Sequence, residues 1–345
     1  MVTARAEGRT RPRRATAGRT DPAVDPVADG ALVGPDGWAP SPLRTGISGW
    51  TYAGWRRAFY PAGLAQRREL EFASRRLNSI EINGSFYSLQ RVESWQRWYA
   101  ETPPGFVFSV KGPRFVTHMK KLRDVDVPVA NFFASGLLAL AEKLGPVLWQ
   151  LPPNFGFSAE RLEEFFALLP RTTTQAAELA TRHDARMDDR ALTTTTVHQP
   201  LRHALEVRHA SFAEPAFVEL LRRHDVALVW ADTGGRFPEI ADVTSDFAYL
   251  RLHGAEELYT SGYDEPALRC WAGRVCQLRD GATPDDGTRL APDAPRRPRD
   301  VFAYFDNDVK VRAPVDAMRL AELTGSAELT GSAGERRERQ QAERP

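Results

Sequence analysis

The sequence predicts an α/β protein built as a single (β/α)8 (TIM) barrel, and two observations lead to this fold class. Eight strand-like segments alternate with helix-like segments between residues 44 and 323, which is typical of a parallel sheet covered by helices. Eight is also the number of strands that closes such a barrel. The chain of 345 residues is long enough to bury a large core without disulfides or structural metals.

The predicted strands are short runs rich in aliphatic and aromatic residues. In chain order they are RTGIS (44–48), SIEIN (79–83), FVFSVK (106–111), PVLWQL (146–151), HALEVR (203–208), VALVWAD (226–232), FAYLRLHG (247–254) and VFAYFDND (301–308). Helical patterns lie between them, over 66–77, 93–101, 129–143, 158–169, 214–224, 264–278 and 313–323. Ser158 and Pro266 are typical of helix starts.

Four segments depart from this alternation. Residues 1–43 and 324–345 combine Arg, Ala, Pro, Gly and charges without a periodic apolar pattern, so we expect disordered extensions there. Residues 171–200 and 280–299 lengthen two connections. We expect both to be insertions in exposed loops, and also disordered.

Composition excludes several classes of protein. Lys and Arg total 46 against 45 Asp and Glu, a net charge of +1, which does not indicate a global electrostatic attraction to nucleic acid or an acidic membrane. No apolar run approaches the length of a membrane span. Cys270 and Cys276 suggest neither a zinc site nor a disulfide scaffold. We expect a cytoplasmic protein, and the sequence does not indicate its oligomeric state.

Strand parity predicts a polar lumen at one end of the barrel. In the second predicted strand, Ile80 and Ile82 share one face, and Glu81 and Asn83 share the other. The fifth and seventh strands repeat the pattern. The apolar faces suit the helix layer, so the polar faces are expected to point into the lumen. Polar residues also concentrate at the C-terminal strand ends, which is where barrel enzymes place their chemistry.

We expect a cluster of ionisable and polar side chains at this rim. Its predicted members are Glu81, Asn83, Lys111, Gln150, Glu206, Arg208, Asp232, Arg251, His253, Asp306 and Asp308, with Trp50 and Tyr87 just after the first two strands. Burying such charges without partners is costly. They should therefore pair with one another, Glu206 with Arg208 or Arg251 for example, or bind water or a ligand. The competing interpretation is a polar barrel core without a ligand.

Several motifs resemble a known family over most of the predicted barrel. They are GISGWTYAGWRRAFYP (46–61), IEINGSFYSL (80–89), FSVKGPRFVTH (108–118), LGPVLWQLPPNF (144–155), LEVRHASF (205–212), LRLHG (250–254) and YFDND (304–308). In this order they resemble the family called domain of unknown function 72, or YecE-like. The resemblance runs from about 44 to 323, interrupted by the two insertions. It implies a TIM barrel and supplies no particular reaction.

Metal-free acid–base chemistry is the first hypothesis for the rim. Paired carboxylates near cations can have pKa values that are driven apart, leaving one as acid and the other as base. Glu81 and Glu206 form the predicted pair, with His253 as a proton shuttle and Asp232 as a further catalytic candidate.

The remaining rim residues are predicted to bind the ligand. They are Trp50, Asn83, Tyr87, Lys111, Gln150, Arg208, Arg251, Asp306 and Asp308. Lysine and arginine would hold an anionic group such as phosphate or carboxylate, and the aromatic rings would cover a ring or a sugar face. The predicted partner is a small anionic or polar ligand.

Two alternatives remain open. The rim carboxylates and His253 could bind Mg or Mn in a hydrolase or phosphodiesterase resembling endonuclease barrels, although the cations in the same lumen would repel a metal. The basic run Lys111, Arg114, Lys120, Lys121 and Arg123 could instead contact nucleic acid in a non-catalytic protein, which salt-dependent binding would reveal. No dinucleotide-binding glycine motif follows a predicted strand, and the sequence identifies no cofactor.

Overall fold

The computed structural model describes residue 37 and residues 42–254, 262–307 and 311–325. Its strands are β1 (Leu43–Ser48), β2 (Ser79–Ile82), β3 (Val107–Lys111), β4 (Leu144–Gln150), β5 (His203–Glu206), β6 (Ala227–Asp232), β7 (Phe247–Leu252) and β8 (Asp300–Phe305). They form one closed parallel barrel in sequence order, in which Gly46 of β1 is in register with Ser79 of β2 and Tyr304 of β8. The predicted fold class is confirmed.

The helices follow the predicted segments closely except over Gly84–Tyr87 and Thr173–Ala180, where the sequence predicts no helix. They are α1 (Glu69–Ser74), α2 (Gly84–Tyr87), α3 (Val92–Glu101), α4 (Asp126–Ala134), α5 (Ala159–Leu168), α6 (Thr173–Ala180), α7 (Pro215–Arg223), α8 (Glu265–Arg279) and α9 (Arg312–Leu323). The Ser158 hydroxyl accepts a hydrogen bond from the Arg161 amide at 3.4 Å and so caps α5, as its position predicts.

The lumen changes character along the barrel axis. Towards the N-terminal ends of the strands, the lumen is filled by an apolar cluster of aromatic and small side chains, including Phe247, Tyr249 and Tyr304. The Tyr249 hydroxyl lies 2.7 Å from the Ser109 hydroxyl, and the Tyr304 hydroxyl lies 2.7 Å from the Ser79 hydroxyl. This layer closes the lumen below the charged residues, which lie nearer the C-terminal strand ends.

The expectation that residues 171–200 and 280–299 are disordered is wrong. The first segment contains α6, whose start is capped by the Thr172 hydroxyl accepting from the Gln175 amide at 3.1 Å. The Thr173 hydroxyl donates to the Val197 carbonyl at 2.6 Å. In the second segment, the Asp242 carboxylate accepts the Leu290 and Ala291 amides. In the first segment the threonines that suggested disorder satisfy backbone groups, and in the second segment the backbone is held by a carboxylate from outside it.

Both predicted terminal extensions lie outside the described residues, apart from a few positions at their edges. Within the described part of the chain, the search for a helix long and apolar enough to cross a membrane finds none.

Candidate active site at the C-terminal mouth of the barrel

A single arginine organises the charged part of the lumen. Arg251 of β7 is fully buried. Its Nη2 lies 2.9 Å from Glu81 Oε1 and 2.8 Å from Asp306 Oδ2, and its Nη1 lies 2.6 Å from Glu206 Oε2. Strand parity brings these side chains together, because Arg251 and Glu81 point away from the apolar helix layer. The predicted pairing of Glu206 with Arg251 is present.

Glu81 is held entirely as an acceptor. Its carboxylate accepts from the Ser48 hydroxyl at 2.7 Å, the Tyr249 hydroxyl at 2.6 Å and Arg251 Nε at 3.1 Å. Its contacts suit it to fixing Arg251 rather than to reaching a ligand.

The two other carboxylates that contact Arg251 are held ionised. Burial by itself opposes ionisation of Glu206, yet the neighbouring Arg208 and Arg251 lower its pKa well below the usual range. Arg208 Nε lies 2.7 Å from Glu206 Oε1. Burial acts likewise on Asp306, but Arg251 and then His253 lower its pKa to about 2, and His253 Nδ1 lies 3.3 Å from its Oδ2. Neither group is a good proton donor near neutral pH.

Lys111 is the exception to this pairing. It ends β3 and is 7% exposed, and its Nζ lies 4.6 Å above the centre of the Phe86 ring. Within the described part of the chain, Lys111 Nζ makes no hydrogen bond or ion pair. Burial, followed by the charge of Arg251, lowers its pKa to about 8.

Local packing fixes the backbone position of Lys111. The Ser85 hydroxyl of α2 donates to the Lys111 carbonyl at 2.7 Å. The next residue is Gly112, where a Cβ would lie 2.4 Å from the Trp149 ring. A side chain at that position would displace either the indole or the end of β3.

His118 follows the end of β3 and belongs to the same end of the barrel. Its ring centre lies 5.1 Å from that of Phe86, and its Nδ1 lies 2.9 Å from the Thr117 hydroxyl. Burial, followed by the charges of Lys111 and Arg208, lowers its pKa to about 4. His118 is therefore neutral at physiological pH and lies within electrostatic reach of both cations.

Two predicted site residues lie outside the Arg251 cluster. Asp232 is in phase with Trp230, which packs outward on Trp271 of α8. The Asp232 carboxylate accepts hydrogen bonds from the Tyr263 hydroxyl at 2.9 Å and from the Gly234 amide at 3.2 Å. Trp50 packs edge-on against Trp98 of α3 at 5.3 Å between ring centres. Asp232 does not converge with the lumen carboxylates, because its side chain points to the helix layer. Trp50 packs towards the same layer, and its contact with a ligand stays a prediction.

The remaining predicted residues have mixed surroundings. Asn83 is half-buried, and its Oδ1 is enclosed without a hydrogen-bond partner in the part of the chain that the structure describes. Gln150 is buried at the end of β4, in phase with the lumen residue Leu148. Tyr87 is 71% exposed. Asp308 lies outside the described residues.

The described residues include no group of three or more His, Cys, Asp or Glu side chains placed to hold a metal ion. The reason is visible in the lumen. The guanidinium of Arg251 occupies the space among Glu81, Glu206 and Asp306, where a cation would otherwise be held.

Two bacterial relatives match part of the chain. The UPF0759 protein YecE of Escherichia coli (strain K12) is 32% identical over 114 residues, which is 33% of this chain and 39% of that relative. The UPF0759 protein YunF of Bacillus subtilis (strain 168) is 30% identical over 125 residues, 35% of this chain and 43% of the relative. Each match therefore spans about two fifths of the relative's own length.

Solved structures with the same fold cover most of the chain. A DUF72 family protein from Thermotoga maritima MSB8 superposes with a TM-score of 0.61 at 24% identity, over 82% of this chain and 99% of that chain. A DUF72 family protein from Enterococcus faecalis V583 superposes with a TM-score of 0.58 at 16% identity, over 82% of this chain and 95% of that chain. At these identities the likeness shows the fold alone.

The family match covers the described barrel from residue 44 onwards. The model of the family described as protein of unknown function DUF72 matches residues 44–341. The motifs that suggested the resemblance lie within this range and supply Glu81, Lys111, Glu206 and Arg251. The chain therefore belongs to the DUF72 family.

Proposed function

We propose that the protein is an enzyme that binds a small anionic ligand at the C-terminal mouth of the barrel and transfers a proton there without a metal ion. One observation carries this proposal. Lys111 is a buried lysine with no acidic partner in the described part of the chain, although Glu81, Glu206 and Asp306 share its lumen.

Electrostatics favour an anion beside Lys111. Burying an ammonium group without a compensating charge is unfavourable, and the lumen carboxylates are already engaged by Arg251 and Arg208. An incoming phosphate or carboxylate would give Lys111 an anionic hydrogen-bond partner, which the carboxylates held by the two arginines do not supply. The charge of Arg208 adds to the positive potential at the same mouth.

The same lysine is suited to proton transfer. A pKa of about 8 makes the neutral amine accessible near physiological pH, and a general acid–base group works best when its pKa is near the operating pH. The ammonium that holds the anion would donate a proton to the bound ligand, and the resulting amine would take it back. His253, oriented by Asp306 at 3.3 Å, is the second group that could relay this proton.

The two alternatives receive less support. For the metal-dependent hydrolase, the space among the lumen carboxylates is filled by Arg251. For the nucleic-acid interface, the basic run is partly engaged, since Lys120 lies 3.9 Å from Asp124 and Lys121 donates to the Asn154 carbonyl at 3.3 Å.

Calorimetric titration with inorganic phosphate and with acetate tests the proposal. We expect at least one of these anions to bind the wild-type protein, with the affinity falling more than about tenfold in Lys111→Met because one charge-assisted contact is lost. Lys143→Met is the matched control, since Lys143 is also a buried lysine and should leave the affinity unchanged. Failure of both anions to bind, or equal affinity in Lys111→Met, would contradict the proposal.

A further inference from the structure

The strongly exposed large apolar side chains of the described residues lie together beside the barrel mouth. They are Tyr87 (71% exposed), Met119 (64%), Val127 (40%) and Phe115 (38%). Tyr87, Phe115 and Met119 line one groove of about 610 Å³, and Val127 precedes Pro128, which also lines it. Scattered exposed apolar residues are ordinary, but a cluster around a concave surface is typical of a binding site.

Phe86 joins this groove to the proposed anion site. It lines the groove, and its ring centre lies 4.6 Å from Lys111 Nζ and 5.1 Å from the His118 ring. Tyr87 is its neighbour on the other side, with ring centres 5.1 Å apart. The groove therefore begins where the surroundings of Lys111 end, and one ligand can contact both.

The charges of the groove also suit an anionic ligand. Of the described residues that line it, none is Asp or Glu, whereas Arg114, Arg186 and Arg190 contribute positive charge. Arg186 is engaged by Asp184 at 2.6 Å. Arg114 and Arg190 are exposed, and among the described residues neither has an ion pair.

The groove is better matched to an aromatic ring than to a sugar. Sugar hydroxyls need acceptors, but the Ser88 hydroxyl is already contacted by the Gln90 amide at 3.3 Å and Asn131 Oδ1 accepts from the Asp184 amide at 3.0 Å. The exposed Tyr87 ring and the Met119 thioether offer the stacking and sulfur contacts that aromatic groups favour.

We propose that the groove holds an aryl group of the same ligand whose anionic end lies at Lys111. The ligand class is thereby narrowed to small molecules with a phosphate, phosphonate or carboxylate attached close to an aromatic ring. This inference rests on the proposed function, because the position of the anionic end fixes which part of the ligand reaches the groove.

Two phosphonates that share one anionic head test the inference. Phenylphosphonate and methylphosphonate differ in the aryl group, and neither has a P–O–C ester bond that an enzyme could hydrolyse. Titration calorimetry on the wild-type protein is expected to give an affinity about tenfold higher for phenylphosphonate. We expect Tyr87→Ser and Met119→Ser each to reduce this ratio towards one. Val127→Ser is the matched control, since Val127 is exposed but does not line the groove, and should keep the tenfold ratio.

The outcomes separate this inference from the proposed function. Equal affinities for the two phosphonates in the wild-type protein, or an unchanged ratio in both Tyr87→Ser and Met119→Ser, would overturn the aryl assignment. If methylphosphonate binding still depended on Lys111 in that case, the proposed function would stand. If instead the phenylphosphonate advantage required Tyr87 while neither ligand lost affinity in Lys111→Met, the groove would bind aryl groups and the proposed anion site would be wrong.

Discussion

Two buried lysines lie at opposite ends of the barrel, and their surroundings differ in one respect. Lys143 directly precedes β4 at the N-terminal end, and Lys111 closes β3 at the C-terminal end. They are 4% and 7% exposed. Each lies against an aromatic ring, Tyr99 at 4.4 Å and Phe86 at 4.6 Å. Burial is the largest cause lowering the pKa of both.

The difference is in their hydrogen bonds. Lys143 Nζ donates to the Tyr99 carbonyl at 2.7 Å and to the Thr102 carbonyl and hydroxyl at 2.6 and 3.1 Å. Lys111 has no such partner in the described part of the chain. A satisfied buried lysine stabilises the fold, whereas an unsatisfied one retains the capacity to bind. This contrast is the reason why we propose a ligand site at the C-terminal end of the barrel.

The largest expected effect is on the free energy of unfolding, and it should differ between the ion pairs at the two ends of the barrel. Arg251→Met should lower the free energy of unfolding by about 4 kcal/mol, because it leaves buried carboxylates without their shared cation. Arg202→Met is the control at the N-terminal end, where Arg202 pairs with Asp246 and Asp300 but all three side chains are partly exposed. We expect a loss of about 1 kcal/mol there. Urea denaturation measures both, and equal losses would contradict the central role of Arg251.

The lysines themselves should respond with opposite signs. At pH 7, Lys143→Met should lower the free energy of unfolding by about 2 kcal/mol, because the carbonyls of Tyr99 and Thr102 lose their donor. Lys111→Met should raise it by about 2 kcal/mol, because it removes the cost of burying a charged amine. Urea denaturation at pH 7 gives both values. Destabilisation by Lys111→Met would show that Lys111 has a structural partner after all.

The increase in the free energy of unfolding that we expect from Lys111→Met should also depend on pH. The pKa of Lys111 in the folded state is about 8, below its ordinary value of 10.5. Below pH 8 the amine is charged in both states, so the full cost of burial is present. Between pH 8 and 10.5 the folded state loses the proton first, and the wild-type protein becomes relatively more stable. The advantage of Lys111→Met should therefore shrink over this range, and an advantage that is constant up to pH 10.5 would contradict the shift.

Much of the barrel could be predicted from the sequence, because strand parity is a strong constraint. Alternating residues such as Ile80 and Glu81 must face opposite sides, so the lumen positions of Glu81 and Glu206 follow from spacing. The sequence leaves Arg208 and Arg251 open as the partner of Glu206, and the structure shows both contacts. The same constraint, applied strictly to Asp232 and its in-phase neighbour Trp230, would have excluded Asp232 from the lumen.

The loops could not be predicted in the same way, because side-chain direction there depends on tertiary packing. Trp50 follows β1 but turns to contact Trp98. The groove beside the mouth includes Arg186 and Arg190 from a segment whose composition suggested disorder. His118 lies within a loop motif, and its nearness to Lys111 and Arg208 emerges only when β3 and β5 are placed in one barrel.

The most direct test of the contrast between the lysines is an NMR titration of isotope-labelled lysine side chains, with and without inorganic phosphate. The account predicts a pKa of about 8 for Lys111 in the free protein and a rise when phosphate binds, because an anion stabilises the ammonium form. The pKa of Lys143 should not respond to phosphate. A Lys111 pKa near the ordinary 10.5 that phosphate leaves unchanged would contradict the proposed anion site.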